Sequence, residues 1–131
     1  MNRTTVLSLS FVIGFLLAGC ATTAPQSTLS IAPEVRRVSQ ADETLFRDMM
    51  RAVGGIGFID RVFYPNAKQS SVVRIEVVTP YSGSQPGVER WYIEHDGKDA
   101  ATYLITFIPD GKGGTYFGTK REQPISQKIS K

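Results

Sequence analysis

The sequence predicts a small α+β protein in which one amphipathic helix packs on an antiparallel sheet of three to five strands. Three observations lead to this fold class. Apolar residues recur with a helical period around residue 45, and they alternate with a period of two after residue 70. Turn residues separate the alternating segments at short intervals, as expected for neighbouring antiparallel strands. The chain is long enough for one such domain and not for two.

The helix is predicted to begin at Ser39 and to end before Gly54. Ser39 is a favourable N-cap, and Asp42 adds negative charge in the first turn. Glycine accepts the left-handed conformation that ends many helices. The apolar stripe that should face the sheet consists of Leu45, Phe46, Met49, Met50 and Val53. The next segment, 56–64, fits either a strand or a second short helix.

Four strands are predicted in the second half of the chain. They begin near Ser71, Val88, Ala101 and Thr115. In the first strand, Val73, Ile75, Val77 and Thr79 share one face. The segment Pro80–Gly87 is an irregular loop, longer than a tight hairpin needs.

The hairpin around Asp96-Gly97 has a register that can be argued from its side chains. A three-residue loop puts Trp91 and Ile93 on the face that carries Tyr103, Ile105 and Phe107, with Glu94 across from Lys98. One apolar face and one opposite-charge pair favour this register over a two-residue loop. Trp91 is therefore predicted to lie in the core, with Tyr92 on the surface.

The sequence offers no evident catalytic or metal-binding set. His95 is the only histidine, and its acidic neighbours predict an exposed turn residue. A zinc site needs three or four converging nitrogen or sulfur ligands. Ser82-Gly83-Ser84 lacks the strand-to-helix frame of a nucleophile elbow, and Gly54-Gly55 closes a helix, whereas phosphate-binding loops open one. We therefore expect a protein that is not an enzyme and that has no cofactor, metal or small-molecule substrate.

The charge distribution argues against nucleic-acid binding. The net charge is +3, but residues 20–119 hold ten basic and eleven acidic residues. The positive excess is concentrated at the C-terminus, in Lys120, Arg121, Lys128 and Lys131. We expect residues 121–131 to form a flexible basic tail, and Lys120 and Arg121 to be candidate contacts to acidic partners.

The N-terminus carries an export signal with a lipidation site. A cationic start precedes an apolar run that is too short to span a bilayer. The run ends in Leu17-Ala18-Gly19-Cys20, which resembles the lipobox of bacterial lipoproteins. That resemblance implies cleavage before Cys20, lipidation of this only cysteine and a palmitate-type anchor. Ala21, where Asp would mark inner-membrane retention in well-studied Gram-negative bacteria, favours the outer membrane, facing the periplasm.

The predicted organisation is therefore a signal peptide at 1–19, a lipidated tether at 20–33, the α+β domain at 34–120 and the basic tail. Residues 88–118 also resemble short proteobacterial lipoproteins in Glu89-x-Trp91, Gly97-Lys98 and Gly113-Gly114-Thr115, a resemblance that implies no activity. We expect an accessory or assembly partner of an envelope complex, a role that an exposed sheet edge would favour. The alternative is an inhibitor or immunity protein that blocks a periplasmic hydrolase through the loop Pro80–Gly87. Tyr81 and Tyr92 are the candidate partner contacts.

Overall fold

The computed structural model describes residues 28–123, in which an α+β domain combines three helices with a five-stranded sheet. The helices are α1 (Pro33–Arg36), α2 (Glu43–Arg51) and α3 (Ile56–Phe63). The strands are β1 (Leu29–Ile31), β2 (Ser70–Thr79), β3 (Gly87–His95), β4 (Lys98–Pro109) and β5 (Thr115–Arg121). The predicted signal peptide, Cys20, and the tail residues Lys128 and Lys131 lie outside this range.

The strand order is β1-β2-β3-β4-β5, and the sheet is mixed. Strand β1 pairs with β2 in parallel, while the other three pairings are antiparallel. The prediction of a purely antiparallel sheet was therefore wrong, because residues assigned to the tether supply a short parallel edge strand. The folded unit accordingly begins before residue 34 and, since Arg121 belongs to β5, extends one residue beyond the predicted boundary.

Helix α2 begins three residues later than predicted. Its N-cap is Asp42, whose carboxylate accepts a hydrogen bond from the Leu45 N–H (2.8 Å). Ser39 lies outside the helix, and so does Val53, which is 85% exposed. Gly54 has a φ of +85°, the left-handed conformation expected after a helix. The ambiguous segment 56–64 forms a second helix, α3, so α2 and α3 follow one another with a bend at the glycines.

The core lies between these helices and one face of the sheet. Trp91, Ile93, Tyr103, Ile105 and Phe107 are all buried on that face, as the hairpin argument predicted. Helix α2 contributes Met49 to the core, and the ring of Phe46 lies 6.1 Å from that of Trp91. Trp91 is 0% exposed, so its predicted place in the core is confirmed.

The β3–β4 turn differs from the predicted three-residue loop, although the core face of the hairpin is the predicted one. Asp96 and Gly97 both have positive φ, 52° and 71°, and form a two-residue turn with His95 opposite Lys98. A register shift between Ile93 and His95 then brings Ile93 opposite Ala101. The predicted pairing of Glu94 with Lys98 was wrong, because the turn has only two residues and the extra residue lies in β4, where two residues between Lys98 and Ala101 oppose Glu94 alone.

Strand β2 contains a similar irregularity. Register shifts lie between Val72 and Arg74 and between Val77 and Thr79. The buried residues of this strand are Ser70, Val72 and Ile75, while Val73 and Val77 are exposed. The prediction was wrong for Val73, because the extra residue between Val72 and Arg74 interrupts the alternation. Val77 lies opposite the buried Glu89, on the predicted face, but is 38% exposed there.

None of the helices within residues 28–123 has the length and apolar character required to cross a membrane.

Candidate functional site

A buried network of three polar side chains joins α3 to the sheet. Asp60 on α3 is 1% exposed, and its Oδ1 accepts a hydrogen bond from the Tyr103 hydroxyl of β4 (2.8 Å). The same oxygen lies 2.8 Å from Nε2 of His95, which is 7% exposed at the end of β3. With Asp60 Oδ1 as the acceptor of this contact, Nε2 is the ring nitrogen that donates. Burial and the bond to Asp60 raise the pKa of Tyr103 well above its ordinary value, so its hydroxyl stays protonated and remains a donor.

Aromatic and cationic groups cover this network. The Tyr64 ring stacks on the His95 ring with centroids 3.7 Å apart. The Tyr64 hydroxyl accepts a hydrogen bond from Nη2 of Arg121 (2.7 Å), and the Arg121 guanidinium also lies over the Phe63 ring at 4.8 Å. The network is thereby closed off by the C-terminal end of α3 and by β5.

The expectation of an exposed turn histidine at His95 was wrong. The turn occupies only Asp96 and Gly97, so His95 still belongs to β3 and continues the inward alternation of Trp91 and Ile93. That alternation was the signal that could have placed His95 in the core. Asp60 carried a weaker signal, because it falls four residues after the buried Ile56 on the same helix face.

The contacts of this network hold α3, β3 and β4 together. Nδ1 of His95 is buried and has no hydrogen-bond partner within residues 28–123, and no nucleophile is hydrogen-bonded to the ring there. In the same part of the chain, no group of three or more His, Cys, Asp or Glu side chains is arranged to hold a metal ion. A cavity of about 400 Å³ beside the ring is lined by residues 63–67, His95, Asp96 and Lys98. We assign the network a structural role, in which Asp60 fixes α3 against β3 and β4.

A second buried carboxylate, Glu89, fixes the segment before α2. It is 0% exposed on β3 and accepts hydrogen bonds from Trp91 Nε1 (2.7 Å), from Ser39 Oγ (3.0 Å) and from the Gln40 N–H. Ser39, predicted to cap the helix, is therefore engaged in holding this carboxylate. Sequence reasoning missed Glu89, since two of its three hydrogen-bond donors lie 49 and 50 residues away in the chain.

The two tyrosines proposed as partner contacts lie in different settings. Tyr92 is half-buried on the sheet face opposite the core, where its hydroxyl donates to Glu76 (3.0 Å) and the Arg74 guanidinium lies 3.8 Å from its ring. Tyr81 is anchored in the fold, because its hydroxyl lies 2.6 Å from Thr115 Oγ1 and its ring packs at 5.9 Å from Phe107. The exposed part of this loop is therefore residues 82–86, and the inhibitor hypothesis gains no support from Tyr81.

Lys120 and Arg121 belong to β5. Lys120 is exposed, whereas Arg121 is half-buried against the aromatic rings of α3. The expectation of mobile side chains was therefore wrong for Arg121, because the last strand continues one residue further than the apolar pattern indicated.

Strand β5 is the longer of the two edge strands, and its outer side is open. Among residues 28–123 it pairs with β4 alone. The Glu122 N–H donates to the Thr102 carbonyl on β4 (2.8 Å). Residues along an antiparallel strand alternately point their N–H and C=O groups toward and away from one neighbour. Phe117, Thr119 and Arg121 therefore present theirs to the free edge.

In comparisons with protein-family models, with curated proteins and with solved structures, nothing matches this chain.

Proposed function

We propose that this protein is a lipid-anchored lipoprotein of the outer membrane, facing the periplasm. In this proposal it acts without catalysis, as an accessory or assembly partner of an envelope complex. The lipobox ending in Cys20 supports the anchor. The open edge of β5 supports the partner role and is the observation that carries it.

The edge of β5 has the features of a strand-addition site. An extended segment of an envelope protein would hydrogen-bond to the outward N–H and C=O groups of Phe117, Thr119 and Arg121. Long exposed edges invite such pairing, and proteins that avoid it keep them short or cover them. The opposite edge, β1, has three residues, whereas β5 has seven. Strand β5 is therefore the better template for a partner strand.

Side chains on β5 would supply specificity to this pairing. On its outer face Tyr116 is 67% exposed beside Ile108, its partner on β4, which is also exposed. On its inner face, Arg121 Nε is buried without a hydrogen-bond partner within residues 28–123. A strand added at this edge would place alternate side chains beside these two sets of groups.

Photo-cross-linking in cells tests the partner role. Incorporation of a benzophenone amino acid at position 116 should give a defined cross-linked product, identified by mass spectrometry. The matched control is position 78, where Val78 is 46% exposed on β2, three places from β5 in the strand order. Equal cross-linking to the same protein at both positions would contradict a partner strand at β5.

A backbone variant tests the hydrogen-bonding side of the same proposal. Thr119→Pro removes an N–H from the free edge without removing one from the β4 ladder, so it should abolish the product. Thr119→Val keeps the N–H and the side-chain shape, and should preserve the product. The melting temperature of Thr119→Pro, measured alongside, separates loss of the edge from loss of the fold. A folded Thr119→Pro variant that still cross-links fully would refute the strand-addition mode.

The anchor is tested separately. Cys20→Ser removes the acceptor thiol, so the mature protein should lose its lipid mass and its partition into detergent. Unchanged mass and partition would overturn the lipidation while leaving the result at β5 standing.

A further inference from the structure

A cavity of about 470 Å³ lies between α2, α3 and the start of β1. Its apolar part is formed by Leu29, Phe46 and Met50. Three arginines also line it: Arg47, Arg51 and Arg61. We call this the arginine cavity. Its volume falls within the range of about 300–1,000 Å³ that is typical of small-molecule sites.

Two of the three arginines that line the arginine cavity have no partner within residues 28–123. The guanidinium groups of Arg47 and Arg51 make no hydrogen bond or ion pair to any residue of 28–123. They lie four residues apart on α2, a spacing at which like charges repel. Arg61 donates from Nε to the Gly57 carbonyl (3.1 Å). The one acidic residue in the lining, Glu43, lies 3.6 Å from the Arg36 guanidinium outside the cavity.

The arginine cavity is also close, along the chain, to the proposed lipid anchor. Thr28 belongs to its lining and lies eight positions after Cys20 in the chain. Even fully extended, eight residues span at most about 28 Å. The tether therefore enters the domain at the rim of this cavity, on the side that the anchor would hold near the membrane.

We propose that the arginine cavity binds the headgroup of an anionic phospholipid in the membrane that holds the anchor. Guanidinium groups recognise phosphate oxygens by paired hydrogen bonds, which suits Arg47 and Arg51. Leu29, Phe46 and Met50 then provide an apolar surface for the glycerol backbone and the first methylenes of the acyl chains. The membrane location rests on the proposed lipidation of Cys20, whereas the headgroup chemistry does not.

Vesicle binding by a chain without the lipid separates these two claims. The full chain with Cys20→Ser would be mixed with vesicles of phosphatidylcholine alone and of phosphatidylcholine with phosphatidylglycerol. We expect binding to the anionic vesicles only. One basic residue near an anionic surface contributes about 1 kcal/mol, or about fivefold in affinity, so Arg47→Gln with Arg51→Gln should weaken binding roughly 30-fold.

Two control pairs make the result specific to the cavity. Arg74→Gln with Lys112→Gln removes the same charge from exposed positions elsewhere and should weaken binding far less. Arg47→Lys with Arg51→Lys keeps the charge but not the planar donor fork, and should recover only part of the affinity. Thermal unfolding of each variant would be measured to check that it folds. We expect all of them to fold, because the substituted side chains are exposed.

A soluble short-chain phosphatidylglycerol locates the site in the same protein. In NMR spectra it should shift the Gly57 amide and the Met50 methyl, whereas short-chain phosphatidylcholine should not. Equal weakening by the cavity pair and the Arg74/Lys112 pair would overturn the proposal in favour of diffuse attraction. Shifts confined to other residues would also overturn it. Inorganic phosphate that saturates the same shifts at lower concentration than the lipid would assign the cavity to free phosphate instead.

Discussion

Replacing Asp60 with alanine should destabilise the domain by about 2–6 kcal/mol, because two buried donors lose their acceptor at about 1–3 kcal/mol each. The Asp60 side chain is 1% exposed and accepts from both His95 and Tyr103. The expected loss is a large part of the ~5–15 kcal/mol that stabilises a small domain.

Asp60→Asn provides the matched control. The amide oxygen occupies the place of the carboxylate oxygen and still accepts hydrogen bonds, but the charge is gone. Bonds to charged groups are worth about 1.5–3 kcal/mol and neutral ones about 1 kcal/mol, so we expect a loss of only about 1–2 kcal/mol. In a Tyr103→Phe background Asp60→Ala should cost less than in the parent, because one of the two donors is then already absent.

Urea unfolding at pH 7 measures these differences. The fluorescence of Trp91 reports the transition, since this tryptophan is the only one in the chain and is 0% exposed. An Asp60→Ala variant within about 1 kcal/mol of the parent would refute a structural role for the network. Equal losses in the free energy of unfolding for Asp60→Ala and Asp60→Asn would also refute it, because asparagine retains the acceptor oxygen and alanine does not.

Three further outcomes follow from the packing. Trp91→Ala should lower the free energy of unfolding by about 3–5 kcal/mol in urea titrations followed by circular dichroism; a change below 1 kcal/mol would contradict the burial seen here. Thr119→Val should leave the melting temperature unchanged or raise it, because the buried hydroxyl has no partner within residues 28–123; a clear decrease would show that the hydroxyl is hydrogen-bonded. Backbone N–H groups of Gln69 and Lys68 hold the pKa of Asp96 below its ordinary value. The contribution of Asp96 to the free energy of unfolding should therefore be present above about pH 4, and it should be lost as the pH falls through the lowered pKa. Asp96→Asn, which tolerates the positive φ, should flatten that part of an acid-unfolding curve; an unchanged curve would contradict the assignment.

The parts of the fold that could be predicted are those whose determinants are local. The alternation through β3 and β4, the Asp96-Gly97 turn and the stripe on α2 depend on residues within a few positions of each other. Trp91, Ile93, Tyr103, Ile105 and Phe107 could be assigned to one face because their order follows from the alternation alone. The turn type was mistaken, but the extra residue in β4 opposite Glu94 compensated for it and left the face unchanged.

The parts that could not be predicted depend on distant residues or on ambiguous patterns. Strand β1 exists because it pairs with β2, forty-one positions later in the chain. In β2, the pairs Val72-Val73 and Val77-Val78 make both registers apolar, so alternation cannot show where the extra residue lies.

The buried carboxylates were the main feature of the candidate site that the sequence did not predict. An acidic residue at an inward position is tolerated only when donors converge on it, and those donors come from other elements. The donors to Asp60 lie 35 and 43 residues away. Sequence alternation marks such positions as inward, but residue type argues for the surface, and no local rule decides between the two.

The two proposed surfaces lie at opposite ends of the strand order, which has a mechanical consequence. In the proposed arrangement the chain enters from the lipid anchor at β1, beside the arginine cavity, while the open edge is β5. Four inter-strand spacings of about 4.8 Å separate these edges, or about 19 Å along the sheet. A domain held to the membrane at β1 can therefore keep β5 available to a partner, and the two contacts should not compete. We expect cross-linking at position 116 to be unchanged by Arg47→Gln with Arg51→Gln when the lipid anchor is intact. A loss of cross-linking in that variant would mean that headgroup binding orients the domain toward its partner, and the two surfaces would then have to be treated as one coupled site.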